Sequence, residues 1–358
     1  MGDLVEIDGS FGEGGGQILR TSLALSAITG RSIHIYNIRA KRPRPGLQRQ
    51  HLVSVKAVAA LASAKVRGAE LGSTELWFYP GDIRSGSFRF DIGTAGSVTL
   101  VLQATMPVAA YAPGPVSMWI RGGTDVPWSP PVDYVRFVLS RLLERMGYVF
   151  RLVLKRRGHY PRGGGIVEFI VEKPPRGFAA ARLDRRGDVR LVEGLSHAVK
   201  LPRHVAERQA RAAEEELRRL GVPVRIEREW YEPGRDPHLG PGSGIVVWAV
   251  CENSVLGGDA LGAKGKPAEH VGREAAEKLL EDLSTGMALD RHASDMLIIY
   301  AALACGESLL GGARLTSHAW TNIHVVRRLV PEAFMEFVEG GEIGRPFLLR
   351  IRGACLRR

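Results

Sequence analysis

The chain has 358 residues and a mass of 39.1 kDa, with 45% hydrophobic and 24% charged side chains. That composition is ordinary for a globular protein of two or three domains and excludes a disordered or collagen-like chain. A formal charge of +11 and a pI near 9.9, carried mostly by arginine, suit a phosphate-bearing polyanion, because the guanidinium fork matches phosphate oxygens. A solubility trait or a GC-rich genome would give the same balance.

In chain order, Val5–Asp8 and Ile33–Arg39 read as strands around an apolar helix from about Gly16 to Thr29, which Gly30 stops. A second helix, about Leu47 to Ser63, precedes a strand at Glu75–Tyr79. The order then recurs: Phe88–Ile92, a helix at Ala95–Tyr111, strand Val116–Arg121, helix Val132–Met146, and strands Tyr148–Leu154 and Gly165–Val171. A third pass runs through helix His292–Cys305, a short segment at Arg314–Ser317, helix Ala319–Leu329 and a closing strand Phe347–Arg352. Three copies of one supersecondary unit are therefore expected. Between the second and third lies a block from about Arg182 to Leu280. It has strands at Val189–Gly194, Val224–Arg228 and Gly244–Val250, a charged helix His204–Leu220 and a final helix Ala268–Leu283. This reads as an inserted α/β domain (182–280), with the repeats in 1–181 and 281–358. The fold class is α/β (α+β): three units of a four-stranded sheet plus two helices, and the insertion.

Ile92 to Ile120 carries no charge, but Gln103, Pro107, Pro113 and Pro115 interrupt it, so it reads as a buried helix and strand rather than a membrane span. Met1–Ser10 lacks the basic and apolar regions of a signal peptide. Cys251, Cys305 and Cys355 stand far apart, with neither disulfide-framework nor zinc spacing, which is compatible with a reducing cytosol. The expectation is a soluble, cytoplasmic protein.

Five clusters could carry chemistry. Gly12-Glu13-Gly14-Gly15-Gly16 opens a helix and ends at Arg20; its N–H groups suit an anion, although no P-loop lysine follows. Glu13 there would be unfavourable unless it held a divalent cation or paired with an arginine. Ile38–His51 packs five cations and a histidine into fourteen residues, a terminal-phosphate clamp or a solvated basic loop. Gly93–Ser97 precedes a helix carrying Gln103 on its apolar face, and Arg121–Asp125 leads to Pro130-Pro131. His292 and Asp295 share a helix face, as a metal pair or a helix-start hydrogen-bonding pair. His318 in Thr316–Ile323 sits at a helix entry. A neutral imidazole there can attack a phosphoanhydride if a hydrogen bond holds its other nitrogen; otherwise it is a capping or surface histidine.

Together these blocks resemble the RNA 3'-terminal phosphate cyclase family. The strings EIDGSFGEGGGQILRTSLALSAITG, IRAKRPRPGLQRQHL, IGTAGSVTLVLQ, GGTDVPWSPPVDY, YPRGGG, LPRHVAER and HAWTNI occur in family order over nearly the whole chain. The resemblance implies three repeats with an inserted domain, similar to the unit of enolpyruvyl transferases. It also implies ATP-dependent closure of a 2',3'-cyclic phosphate on RNA, by way of an adenylylated histidine and an RNA-(3')pp(5')A end. By position it implies His318 as nucleophile and Glu13 as ligand of Mg²⁺ or Mn²⁺. Arg20, Arg39, Arg42, Gln50 and His51 would hold RNA and ATP phosphates. Gln103, Pro131 and the segment His292, Ala293, Ser294, Asp295 and Met296 would line the adenosine pocket. The family's commoner residues at 292 and 296 are Tyr and Gln, so His292 and Met296 depart from it. The partners implied are ATP and RNA ending in a 3'-phosphate. A catalytically silent cyclase-like RNA-binding protein would lack His318 and the basic residues, and an enolpyruvyl transferase would lack the HAWTNI block.

Overall fold

The computed structural model describes residues 4–357; the first three residues of the segment read for a targeting signal lie outside it. The first unit runs β1 (Val5–Asp8), α1 (Gln17–Thr29), β2 (Ile33–Tyr36), α2 (Arg49–Leu61), β3 (Lys65–Arg67), β4 (Leu76–Tyr79). Its sheet is ordered β1-β2-β4-β3, with β1 parallel to β2 and the other pairs antiparallel. The second unit runs β5 (Gly86–Asp91), α3 (Val98–Ala109) and β6 (Val116–Gly122), then a rod of α4 (Val132–Tyr134), a π-turn (Val135–Leu139) and α5 (Ser140–Glu144). It closes with β7 (Arg151–Arg156) and β8 (Gly165–Val171), in the order β5-β6-β8-β7.

The third sheet opens with β9 (Arg182–Leu183), which pairs in parallel with Leu309 and Leu310. After it the chain leaves for a separate sheet: β10 (Val189–Val199), α6 (Arg203–Leu217), β11 (Val224–Trp230), β12 (Gly242–Cys251), β13 (Val255–Leu261) and α7 (Ala268–Ser284). It returns as α8 (Arg291–Leu303), β14 (Glu307–Gly312), α9 (Ser317–Leu329), β15 (Phe334–Glu339) and β16 (Phe347–Arg352). The third sheet reads β9-β14-β16-β15, so strand order and direction are the same in all three units. The separate sheet is ordered β11-β10-β12-β13 and has its own core, including Ala210, Leu217, Ile226, Val247, Val271 and Leu279.

Arg182 and Leu183, expected to open the inserted block, thus belong to the third sheet. Their role depends on a partner more than 120 residues away, and two residues carry no period. The strand of the third pass is Glu307–Gly312 rather than 314–317. β3, β13 and β15 are added: β3 has three residues, β13 carries Gly257-Gly258, and β15 (FMEFVE) is an edge strand. The uncharged stretch resolves into α3 and β6. Among the described residues no helix is long and apolar enough to cross a membrane.

The cysteine expectation needs correction. Cys305 and Cys355 form a disulfide, and Cys251 is free and buried. The pairing is made by register: Glu307 lies opposite Arg352, and Gly353 N donates to Gly306 O at 3.0 Å, so the two cysteines flank adjacent strand ends. A separation of 50 residues hides this from the sequence.

Helices position the site. α1 is buried on most of its surface between α3, α2 and α9, and Gly30 ends it in the left-handed conformation at φ 76°. At the seam with the inserted sheet, Phe137 stacks on Trp248 at 4.6 Å. A Cβ on Gly257 would come within 2.7 Å of the Tyr134 ring, so glycine lets β13 close against α4.

Candidate active site

The N-terminal end of α1 carries no side-chain cap, and the turn before it bends through Gly12 and Gly14 at φ 64° and 60°. Among the described residues no side chain satisfies its N–H groups, an arrangement that suits an anion. A methyl on Gly16 would lie 2.5 Å from His51 Nε2 and 2.8 Å from Arg20 Nη1, so both side chains face the turn. The His51 Nδ1 accepts from Gln48 N at 3.2 Å. Burial, helped by the charges of Arg20 and Arg39, pushes this imidazole down to about 3, so it is neutral near pH 7. Arg20 donates from Nη2 to Gln17 Oε1 at 2.7 Å. Its buried Nε has no hydrogen-bond partner among the described residues. Burial lowers this guanidinium to about 10, opposed by Glu13, so a buried cation that no carboxylate of the described residues contacts remains beside the glycine turn. Such a group is stabilised by an anion.

His318, in the first turn of α9, faces the same turn: Nε2 lies 3.7 Å from Glu13 Oε1, which Arg42 Nη2 approaches to 3.1 Å. Burial lowers the His318 pKa, opposed by Glu13 and helped by Arg20, His292 and Arg42. The ring is therefore neutral at physiological pH. Its Nδ1 is buried with no partner among the described residues, so the hydrogen bond expected to hold it is not made. The helix end is held instead. The hydroxyl of Thr316 caps it, accepting from Ala319 N at 3.1 Å and donating to Asp295. Asn322 Nδ2 donates to Asp295 O at 2.7 Å, and its Oδ1 accepts from Thr21 (2.6 Å) and Gln17 (3.0 Å). Burial raises the Asp295 carboxyl to about 7. Gln17, Thr316 and Asn322 fell inside clusters read from the sequence but were given no role there, and Thr21 was not singled out; only the cap at Thr316 had a readable local signal.

The residues expected around adenosine converge from three elements. Thr99 Oγ1 on α3 donates to Pro130 O at 2.8 Å, and Pro131 starts α4. Tyr134 OH donates to Asp290 Oδ1 at 2.7 Å, and Asp290 caps α8 by accepting from His292 N and Ala293 N. Pro131 and the segment His292–Met296 are thereby joined through Tyr134. Ala293, Ser294 and Met296 are buried. Gln103 lies one turn beyond Thr99, its Oε1 buried with no partner among the described residues. His292 and Asp295 do not pair. His292 Nε2 contacts Asp259 of β13 at 3.1 Å, and although burial opposes it, that bond raises the ring to about 8. Asp259, from the inserted sheet, carried no sequence signal.

The expected phosphate clamp is partly turned toward the scaffold. Arg39 Nη1 donates to Arg44 O (2.6 Å) and Gly46 O (3.0 Å), shaping its own loop, and Gln50 Oε1 accepts from Ser97 N at 2.7 Å, joining α2 to the cap of α3. A cleft of about 480 Å³ opens beside them, lined by Arg44, Arg49, Gln50, His51, Thr94 and Gly96 among others. Arg44 and Arg49 belong to the basic run but had not been assigned a role.

This geometry can be set beside known proteins. The family model described as "RNA 3'-terminal phosphate cyclase" matches residues 11–335. The chain is 70% identical to the RNA 3'-terminal phosphate cyclase of Hyperthermus butylicus, over 99% of both chains. It is 62% identical to that of Ignicoccus hospitalis (99% and 100%) and 54% to that of Methanopyrus kandleri (98% and 99%). Among solved structures, the enolpyruvyl transferase NikO from Streptomyces tendae gives a weak likeness. Its TM-score is 0.42 at 10% identity, over 100% of this chain and 50% of that one. The chain belongs to the RNA 3'-terminal phosphate cyclase family and is an enzyme.

Proposed function

We propose that this chain converts an RNA 3'-terminal phosphate to a 2',3'-cyclic phosphate with ATP, through an adenylate carried on His318. The observation that carries this reading is a neutral His318 Nε2 lying 3.7 Å from Glu13, beside a buried Arg20 that no carboxylate of the described residues contacts. The imidazole lone pair attacks the α-phosphorus of ATP, forming a P–N bond as the bond to pyrophosphate breaks. A 3'-phosphate oxygen of the RNA then takes the AMP, and the P–N bond breaks to return neutral imidazole. The neighbouring 2'-hydroxyl attacks the activated phosphorus and releases its proton to solvent, and AMP leaves.

Arg20, His51 and Arg42 face the phosphates; Arg39 and Gln50 hold the basic loop and α2 in place around them. The buried Oε1 of Gln103, without a partner among the described residues, suits the exocyclic amine of adenine, with Pro131 and the segment His292–Met296 lining the pocket. A divalent cation, Mg²⁺ or Mn²⁺, fits at Glu13. This carboxylate stands where a Cβ on Gly15 would come within 2.4 Å of its Oε1, and magnesium is commonly held by one carboxylate plus substrate phosphates. When bound, the cation neutralises charge on the ATP phosphates. His292 keeps an aromatic face in the pocket although the family's commoner residue there is tyrosine.

Incubation with ATP labelled at the α-phosphate and a divalent cation should give an acid-labile, alkali-stable label on wild type and none on His318→Ala. RNA ending in a 3'-phosphate should then discharge it. A folded wild-type protein that takes no label refutes the reading.

A further inference from the structure

A second buried cluster shares no residue with the site around His318. Asp125 follows β6, His159 lies between β7 and β8, and His197 is on β10 of the inserted sheet. All three are buried, and their ligand-type atoms lie within 4.8 Å of one another. The two imidazoles meet Nε2 to Nε2 at 3.2 Å, and His197 Nε2 is 4.0 Å from Asp125 Oδ1. Two imidazoles on one tetrahedral cation, at bond lengths of about 2.0–2.1 Å, stand about 3.3–3.4 Å apart.

The backbone makes room for this meeting. A methyl on Gly242 would lie 2.0 Å from the His159 ring, and one on Gly244 would lie 3.0 Å from His197 Cε1. Two Nε2 lone pairs facing one another repel unless a shared proton or a cation lies between them. His197 Nδ1 has no partner among the described residues, so nothing on the far side of that ring fixes a proton on either nitrogen. The surrounding charge favours a cation. Asp125, Asp133 and Glu229 face Arg157, and Arg136 takes the other oxygen of Asp133. Three carboxylates outnumber two guanidiniums there, although Arg157 itself opposes positive charge on both rings. Arg157 lies 2.7 Å from Asp133 and Glu229 but 3.3 to 3.4 Å from Asp125. Thr124 donates to Asp125 Oδ2 at 2.7 Å, so Oδ1 is the oxygen offered toward the imidazoles. Burial lowers both histidines, which favours the neutral form that ligates metals.

We propose that Asp125 Oδ1, His159 Nε2 and His197 Nε2 bind one divalent transition cation of the zinc or cobalt type. Nitrogen donors select such a cation over magnesium. It ties the inserted sheet to the second repeat, because two ligands come from one and the third from the other.

The test uses the full chain in a Glu13→Ala background, stripped with a chelator and titrated with Co²⁺. One equivalent should bind with visible ligand-field absorption and raise the thermal midpoint, and His197→Gln or Asp125→Asn in that background should weaken binding at least tenfold. No Co²⁺ bound by the Glu13→Ala chain, or undiminished binding in a folded His197→Gln variant, overturns the proposal in favour of a proton-sharing histidine pair. Should those variants not fold, X-ray absorption at the cobalt edge of the Glu13→Ala chain decides: two imidazole ligands support the site, and none overturns it.

Discussion

Replacing Arg157 with leucine tests the electrostatics at the join between the second repeat and the inserted sheet. The Arg157, Asp125 and Asp133 side chains are fully buried. Arg157 donates from Nε and Nη2 to Glu229 at 2.9 and 2.7 Å, and its Nη2 lies 2.7 Å from Asp133 Oδ2. Removing it leaves three carboxylates facing an apolar side chain. Breaking a buried ion pair at one partner costs about 3–5 kcal/mol, and we expect a loss in that range at pH 8. The loss should depend on pH with a definite sign. In wild type, burial opposes but Arg157 holds the Glu229 carboxyl down at about 2. Its stabilising contribution is therefore complete above the ordinary value of 4.5 and disappears as pH falls through about 2. In the variant, burial and the neighbouring carboxylates push the Glu229 carboxyl above its ordinary value, so the folded state takes up protons more readily than the unfolded one. The penalty must shrink as pH drops from 8 to 5. Urea unfolding followed by tryptophan fluorescence at both values measures it. A loss under about 1 kcal/mol at pH 8, or a greater loss at pH 5, would refute the reasoning.

Asn322→Leu removes three hydrogen bonds holding α9 to α1 and α8; about 3 kcal/mol of stability should go. With His318 displaced, adenylylation should slow on the order of 10²-fold, and an unchanged labelling rate would exclude this positioning role. An NMR titration of His292 should give a midpoint at about 8, falling in Asp259→Asn. Its folded value lies above the ordinary imidazole value, so the pair's contribution is full below about pH 6.5 and lost as pH rises through about 8. A wild-type midpoint below 6.5 contradicts the pairing. Cys355→Ser opens a loop of 50 residues, for which chain entropy gives a loss of about 4 kcal/mol. Equal unfolding midpoints for variant and wild type under non-reducing conditions would show that the bond contributes nothing.

The sequence by itself determined whatever rests on local pattern. The long amphipathic or apolar helices α1, α3, α6, α7 and α9 announce themselves by period and stop signals, and the buried strands β6 and β8 by apolar, β-branched runs. The glycine turn before α1 and the basic run at 38–51 were legible because their chemistry is concentrated in a few adjacent residues. Roles within the site were assigned only through resemblance: nothing local distinguishes His318 from His324, which stacks on Phe11 at 3.7 Å instead.

Tertiary structure decided everything that depends on a partner far along the chain. β9 is a strand because Leu309 and Leu310 lie beside it, and Cys305 finds Cys355 because β14 and β16 run antiparallel. His292 is joined to Asp259 rather than to Asp295, three residues on, because the inserted sheet closes over α8. Asn322 becomes a hub only where α1, α8 and α9 meet, more than 300 residues separating it from Thr21. The physical reason is common to these cases: a polar group is assigned its role by whichever partner burial leaves within hydrogen-bond reach, and periodicity reports only which face is buried.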